Sequence, residues 1–144
     1  MIHQPVNTNI IIEIEKDATS SVFHFLKETK DNVFLNPDET IIDNYIDTQT
    51  ENIIIKNLIT TSPLTTKDDI RIPKAEKILV DLFIEHLYKA YQDNELINIY
   101  TAFFEKYAIN CSNLYWYASK RYSEKTITDF LEINNITSCE RMNK

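Results

Sequence analysis

A chain of 144 residues with 43% hydrophobic content has the size and composition of one globular domain and can bury a core of useful size. Its net charge of -7 and pI of about 4.9 argue against a general nucleic-acid binder, because an acidic surface repels phosphate backbones. Glycine is absent, which excludes glycine-based phosphate loops and leaves Asn, Asp and Pro to form turns and helix ends. The first residues, Met1-Ile2-His3-Gln4-Pro5, do not read as a secretory leader, and no apolar run approaches the roughly 20 residues of a membrane helix.

In chain order, Asn9 to Lys16 is a β-branched run whose second half alternates, Ile12 and Ile14 against Glu13 and Glu15, and predicts a half-buried strand. Asp17 is then placed to cap a helix over Ala18 to Glu28, with Val22, Phe25 and Leu26 inward. Val33-Phe34-Leu35 predicts a short strand. Asn36-Pro37-Asp38-Glu39 reads as an Asn cap, a first-turn Pro and two acids, opening a helix to about Ile46 that buries Ile41, Ile42 and Tyr45. Asn52 to Ile59 predicts a second Ile-rich strand, Ser62 to Asp69 a polar loop, and Ile70-Arg71-Ile72 a strand ended by Pro73.

The second half reads as helix throughout. Lys74 to Tyr91 is apolar over more than half its circumference and predicts a buried central helix. Asp93 or Asn94 opens the next, with Leu96, Ile97, Tyr100, Phe103, Phe104 and Tyr107 at helical spacing. Ser112 is placed to cap a third helix over Asn113 to Arg121, and a fourth runs over Glu124 to Glu132. Residues 134–144 read as a frayed tail outside an ordered core of about residues 8–133. The expected architecture is α+β: short strands with two helices, then a four-helix half, in a single domain.

Chemistry-bearing patterns are sparse. His3, His24 and His86 have no carboxylate, Cys or second His at metal-ligand spacing, and read as surface or hydrogen-bonded core residues. Glu13 and Glu15 share a strand face, which raises a metal-dependent, restriction-nuclease-like alternative with a nearby lysine. The adjacent Lys16 points to the opposite face, and the only acid-x-Lys match is Glu28-Thr29-Lys30 at a helix end. A solvated strand face is the plainer reading. Cys111 and Cys139 are too far apart to form a metal pair or a disulfide framework. A reducing, cytoplasmic setting fits them, with Cys111 as a filler residue. Neither a catalytic residue nor a cofactor or metal site is expected.

Tyr115-Trp116-Tyr117 beside Lys120-Arg121-Tyr122 is the one aromatic and basic cluster, a pattern found in core packing, protein interfaces and nucleic-acid sites. The candidate interaction positions are Lys74, Lys77, Trp116, Lys120, Arg121 and Lys125.

The segments Ile14-Glu15-Lys16-Asp17, Val22-Phe23-His24-Phe25-Leu26-Lys27 and Val33-Phe34-Leu35-Asn36-Pro37 resemble the first strand, helix and second strand of the C-terminal part of AbiEi-like antitoxin proteins. Ile72-Pro73-Lys74-Ala75-Glu76-Lys77-Ile78-Leu79-Val80-Asp81-Leu82 resembles the helix start of that family. Tyr107 to Leu114 followed by Tyr117-Ala118-Ser119-Lys120-Arg121 is similar to its closing segment. The resemblance covers roughly residues 8–132. It implies a non-catalytic antitoxin or transcriptional regulator in a type IV toxin-antitoxin, or abortive-infection, setting, with a nucleotidyltransferase-like toxin as partner. The family's winged helix, which reads DNA, is not expected here, since only a few residues precede the first strand. A homodimer through an uncovered strand edge is a further possibility.

Overall fold

The computed structural model describes residues 8–46, 51–60, 62–85 and 94–136. The chain divides into two compact units, residues 1–60 and 61–144. Strand and helix are mixed throughout, in an α+β protein.

The first unit alternates strand and helix. β1 (Thr8–Ile14) leads through a 3-10 turn (Lys16–Ala18) into α1 (Thr19–Lys27); β2 (Val33–Leu35), α2 (Glu39–Tyr45) and β3 (Glu51–Asn57) follow. The strands form a parallel sheet in the order β1-β3-β2. The last strand in sequence is therefore the central one, with Thr8 paired to Glu51 on one side and Val33 to Ile53 on the other. Ile54 and Ile55 are both fully buried. Successive strand residues point to opposite faces, so both faces of β3 are covered. Parallel strands buried on two faces read as continuous apolar runs, which is why Ile53-Ile54-Ile55 does not alternate.

Local chemistry moves several expected boundaries. The cap of α2 is Asp38, whose Oδ1 accepts from the Ile41 amide at 2.9 Å, and not Asn36. Asn36 instead takes a left-handed φ of 43°, accepts from the Asn57 amide at 3.2 Å and donates to the Asn57 side chain at 3.3 Å. It thereby ties the ends of β2 and β3 together. No side chain caps α1, where Asp17 was expected to. Phe25 and Tyr45, expected inward, are 71% and 69% exposed.

The second unit opens with a hairpin. β4 (Leu64–Lys67) pairs antiparallel with β5 (Ile70–Pro73) across the two-residue turn Asp68-Asp69. Both turn residues have positive φ, 53° and 66°, as a type I′ turn requires. The expected polar loop is thus half strand: Thr65, Thr66 and Lys67 are exposed and give no hydrophobic signal.

Among the described residues four helices follow: α3 (Ala75–Ile84), α4 (Asn94–Lys106), α5 (Cys111–Lys120) and α6 (Glu124–Ile133). The second half of the expected central helix, with His86, lies outside the described residues, as do His3 and Cys139. Tyr100 of α4 is fully buried and stands edge-on to Phe130 of α6, ring centres 5.0 Å apart. Phe83 of α3 meets Phe130 at 5.2 Å. The Tyr100 hydroxyl donates to the Leu79 carbonyl at 2.6 Å, which satisfies its one polar atom inside the core. Burial pushes the Tyr100 phenol far above its usual range, with the Asp81 charge adding to it.

Without glycine, the helix ends use other residues in the left-handed position. After α6, the Ile136 amide reaches the Leu131 carbonyl at 2.9 Å and the Asn135 amide the Glu132 carbonyl at 3.2 Å, with Asn135 at φ 58°. This is a Schellman ending, and it extends order to the buried Ile136, past the point where fraying was expected. After α5 the same pair of bonds runs from Ser123 to Ala118 (2.8 Å) and from Tyr122 to Ser119 (3.1 Å). There the left-handed residue is Tyr122, φ 57°, which is 97% exposed.

Candidate functional site

Lys77, Asp81 and Glu85 follow one another at four-residue spacing along α3 and its C-cap, and therefore share one face. Tyr117 and Arg121, also four apart, lie on α5 and its C-cap. The two faces meet. The Lys77 ammonium is 2.7 Å from Asp81 Oδ2 and donates to the Tyr117 hydroxyl at 3.1 Å. The Tyr117 hydroxyl donates to Asp81 Oδ1 at 2.8 Å. One Arg121 guanidinium nitrogen bonds Asp81 Oδ1 at 2.7 Å and the Tyr117 oxygen at 3.0 Å; the other bonds the Glu85 carboxylate. Both cations also sit over the Tyr117 ring, Lys77 at 5.1 Å and Arg121 at 5.8 Å from its centre.

The cluster balances two cations against two anions around one phenol. Lys77 is 1% exposed and Tyr117 fully buried, while Asp81, Glu85 and Arg121 are 16–17% exposed. Buried charges at these depths persist only when paired and hydrogen-bonded. Burial, then the Asp81 charge, pushes the Tyr117 phenol up to about 12, with Lys77 opposing. The phenol is therefore neutral at ordinary pH and acts as a donor to Asp81. For Arg121, burial works against its charge. The Glu85 bond, the Asp81 charge and Tyr117 together outweigh burial and hold the guanidinium charged.

A second link joins the same elements. The Glu76 carboxylate, 5% exposed, accepts from the Asn110 amide at 2.8 Å. Asn110 caps α5, its Oδ1 taking the Asn113 amide at 3.0 Å. The expected cap, Ser112, lies instead inside the first turn of the helix. Cys111, expected as filler, is 4% exposed and disulfide-bonded.

These contacts sort the six sequence candidates. Lys77 and Arg121 are brought together, but in the interior, with their polar atoms turned on Asp81, Glu85 and Tyr117; they are corrected from interaction surface to internal ties. Trp116 and Lys120 are brought together on the outside: Trp116 is 44% exposed and the Lys120 ammonium stands 5.1 Å over its ring. Lys74 is exposed at the start of α3, where its amide bonds the Pro63 carbonyl. Lys125 is exposed in α6 and paired with Asp129 at 3.0 Å, a surface pair worth little.

The strand face invoked for a nuclease does not form. β1 ends at Ile14, and Glu15 precedes the 3-10 turn as an exposed residue, while Glu13 stays in the strand opposite Lys56. Among the described residues no group of three His, Cys, Asp or Glu side chains could hold a metal ion, and no helix is long and apolar enough to cross a membrane.

A family model of unknown function, DUF6577, matches residues 1–137. The chain belongs to this family. No curated protein and no solved structure matches it. Glu76, Asp81, Glu85 and Asn110 were not singled out by sequence, and Tyr117 was named only as part of the aromatic and basic cluster. The signal that could have found Asp81 and Glu85 is their four-residue spacing from the candidate Lys77 along a helix otherwise read as buried.

Proposed function

We propose that the chain is a non-catalytic binding domain of the antitoxin or regulator kind, cytoplasmic, whose partner is a nucleotidyltransferase-like toxin in a type IV, abortive-infection setting. The observation that carries the binding reading is the pairing of Trp116 with Lys120. A tryptophan is the residue most enriched among interface anchors, and here it is 44% exposed with a cation fixed over one face. The neighbouring charged groups of α3 and α5 are engaged with one another, which favours a structural use of them over a catalytic one. The partner class comes from the AbiEi-like resemblance. A net charge of -7 makes a protein the better partner than DNA.

Co-expression with any nucleotidyltransferase-like protein found encoded beside this chain tests the reading. The expected result is relief of growth arrest and a stable complex, with Trp116→Ala weakening binding at least about tenfold, as loss of an anchor does, and leaving the fold intact. A lack of both relief and complex overturns the partner. A complex whose affinity is unchanged in Trp116→Ala and Lys120→Glu overturns the surface.

A further inference from the structure

We infer that the chain forms a two-fold dimer with a second copy of itself, by antiparallel pairing of β1 with β1. Among the described strands, β1 and β2 are the edges of the first sheet, and the two edges differ. β2 has three residues and runs into Asn36, at positive φ, and Pro37, which has no amide to offer. Short strands and proline are the usual protection of an edge. β1 has seven residues, with neither proline nor lysine among them. α1 packs against β2 and β3. None of the β1 isoleucines, Ile10, Ile11, Ile12 and Ile14, is buried, whereas Ile54 and Ile55, which pair with Ile11 and Ile12, are fully buried.

The hydrogen-bond phase of β1 selects the register. The Ile14 carbonyl accepts from the Leu58 amide at 2.8 Å, so the Ile14 backbone is turned towards β3. Alternate residues of a parallel strand bond to the same neighbour. Ile10 and Ile12 therefore share that direction, and Asn9, Ile11 and Glu13 turn their amides and carbonyls to the outer edge. Ile11 is the midpoint of β1. A two-fold axis beside it overlaps the two strands over their full length. Ile11 then exchanges hydrogen bonds with Ile11 of the second copy, and Ile10 faces Ile12 across the closer, non-hydrogen-bonded positions. Glu13, the one charged residue of β1, stands opposite the neutral Asn9, so no like charges oppose. This self-complementarity favours a second copy as the occupant of the edge. Each molecule contributes its one long edge and leaves its blunted β2 edge outside, so association closes at two. The pairing does not depend on the toxin reading.

Sedimentation and amide exchange on the full chain test it. The expected result is a concentration-dependent dimer whose Ile11 amide is protected and loses protection on dilution, while the Ile12 amide, bonded towards β3, stays protected throughout. Ile11→Pro deletes the outward amide, leaves the bonds to β3 in place and should give a monomer. Asn9→Asp keeps the Oδ1 atom that accepts from Asn52 at 3.0 Å and sets an acid opposite Glu13. It should weaken the dimer about fivefold, and it decides the matter if the proline variant does not fold. A monomer up to about 1 mM, where even weak association is populated, overturns the inference. So does a dimer whose Ile11 amide exchanges freely or whose affinity is unchanged in Asn9→Asp, and so does open-ended growth beyond two copies.

Discussion

The Tyr117 hydroxyl donates to Asp81 Oδ1 at 2.8 Å while accepting from both Lys77 and Arg121. One phenol thus joins both cations of the cluster to its central carboxylate. Asp81 in turn pairs with both cations.

Removing Asp81 is the more damaging change. Asp81→Ala removes the carboxylate that pairs with the 1%-exposed Lys77 ammonium. Breaking a buried pair from one side costs about 3–5 kcal/mol. Tyr117→Phe keeps the ring and the charges and removes only the hydroxyl, for roughly 1–3 kcal/mol. Urea unfolding of the two variants should show that order; equal losses would mean that the phenol, not the charge, holds the helices together.

The same phenol gives an alkaline limit to stability. Its folded value, about 12, lies above the unfolded value of 10.0. The neutral form is the one that the fold favours, so its contribution is complete below about pH 10 and is lost as pH rises towards 12. Lys77, Asp81 and Arg121 are the groups facing it. Unfolding followed from pH 9 to 12 should therefore show a falling stability whose slope is reduced in Tyr117→Phe. Part of the slope remains, because Tyr100 is raised as well.

Among the described residues, Tyr122 is the one in the left-handed region that is neither Asn nor Asp. Its side chain is 97% exposed and gives up little packing. Tyr122→Gly removes a backbone penalty of about 1 kcal/mol and should raise stability by up to that amount. A lower urea midpoint for the glycine variant would show that the tyrosine ring contributes more than its exposure indicates.

The hairpin turn should respond in the same direction. Asp68 and Asp69 both hold positive φ, and they place two like charges side by side. Replacing them by Asn-Gly, the preferred type I′ pair, should slow amide exchange across β4 and β5. Unchanged exchange at Thr65 and Ile72, which face each other in the register, would contradict this.

Where hydrophobic pattern decides structure, the sequence was legible. The Ile runs at residues 10–14 and 53–55 mark strands, and Leu96, Tyr100 and Ile127 mark inward helix faces. Polar positions were harder. Thr65 and Thr66 are strand because a two-residue turn folds them against Arg71 and Ile72, not because they are buried. Asn36 and Asp38 are both good caps by type, and the choice between them depends on the tie from Asn36 to Asn57, 21 residues away. Lys77 was assigned to the surface because lysines usually are exposed. Its burial is decided by Tyr117, forty residues on, and no local pattern reports that distance.

The order β1-β3-β2 also has a consequence for synthesis. Both described ladders of the first sheet use β3, so neither can form until the ribosome has delivered residues of β3, from Glu51 onward, beyond its exit tunnel. Until then the Ile-rich β1 has no strand to pair with, 43 residues ahead of its partner. Pairings of such long separation form late, and an apolar segment waiting for one is open to association with other nascent chains. Expression yield of this protein should therefore depend on how fast translation crosses residues 14 to 57, and on holdase chaperones during that interval.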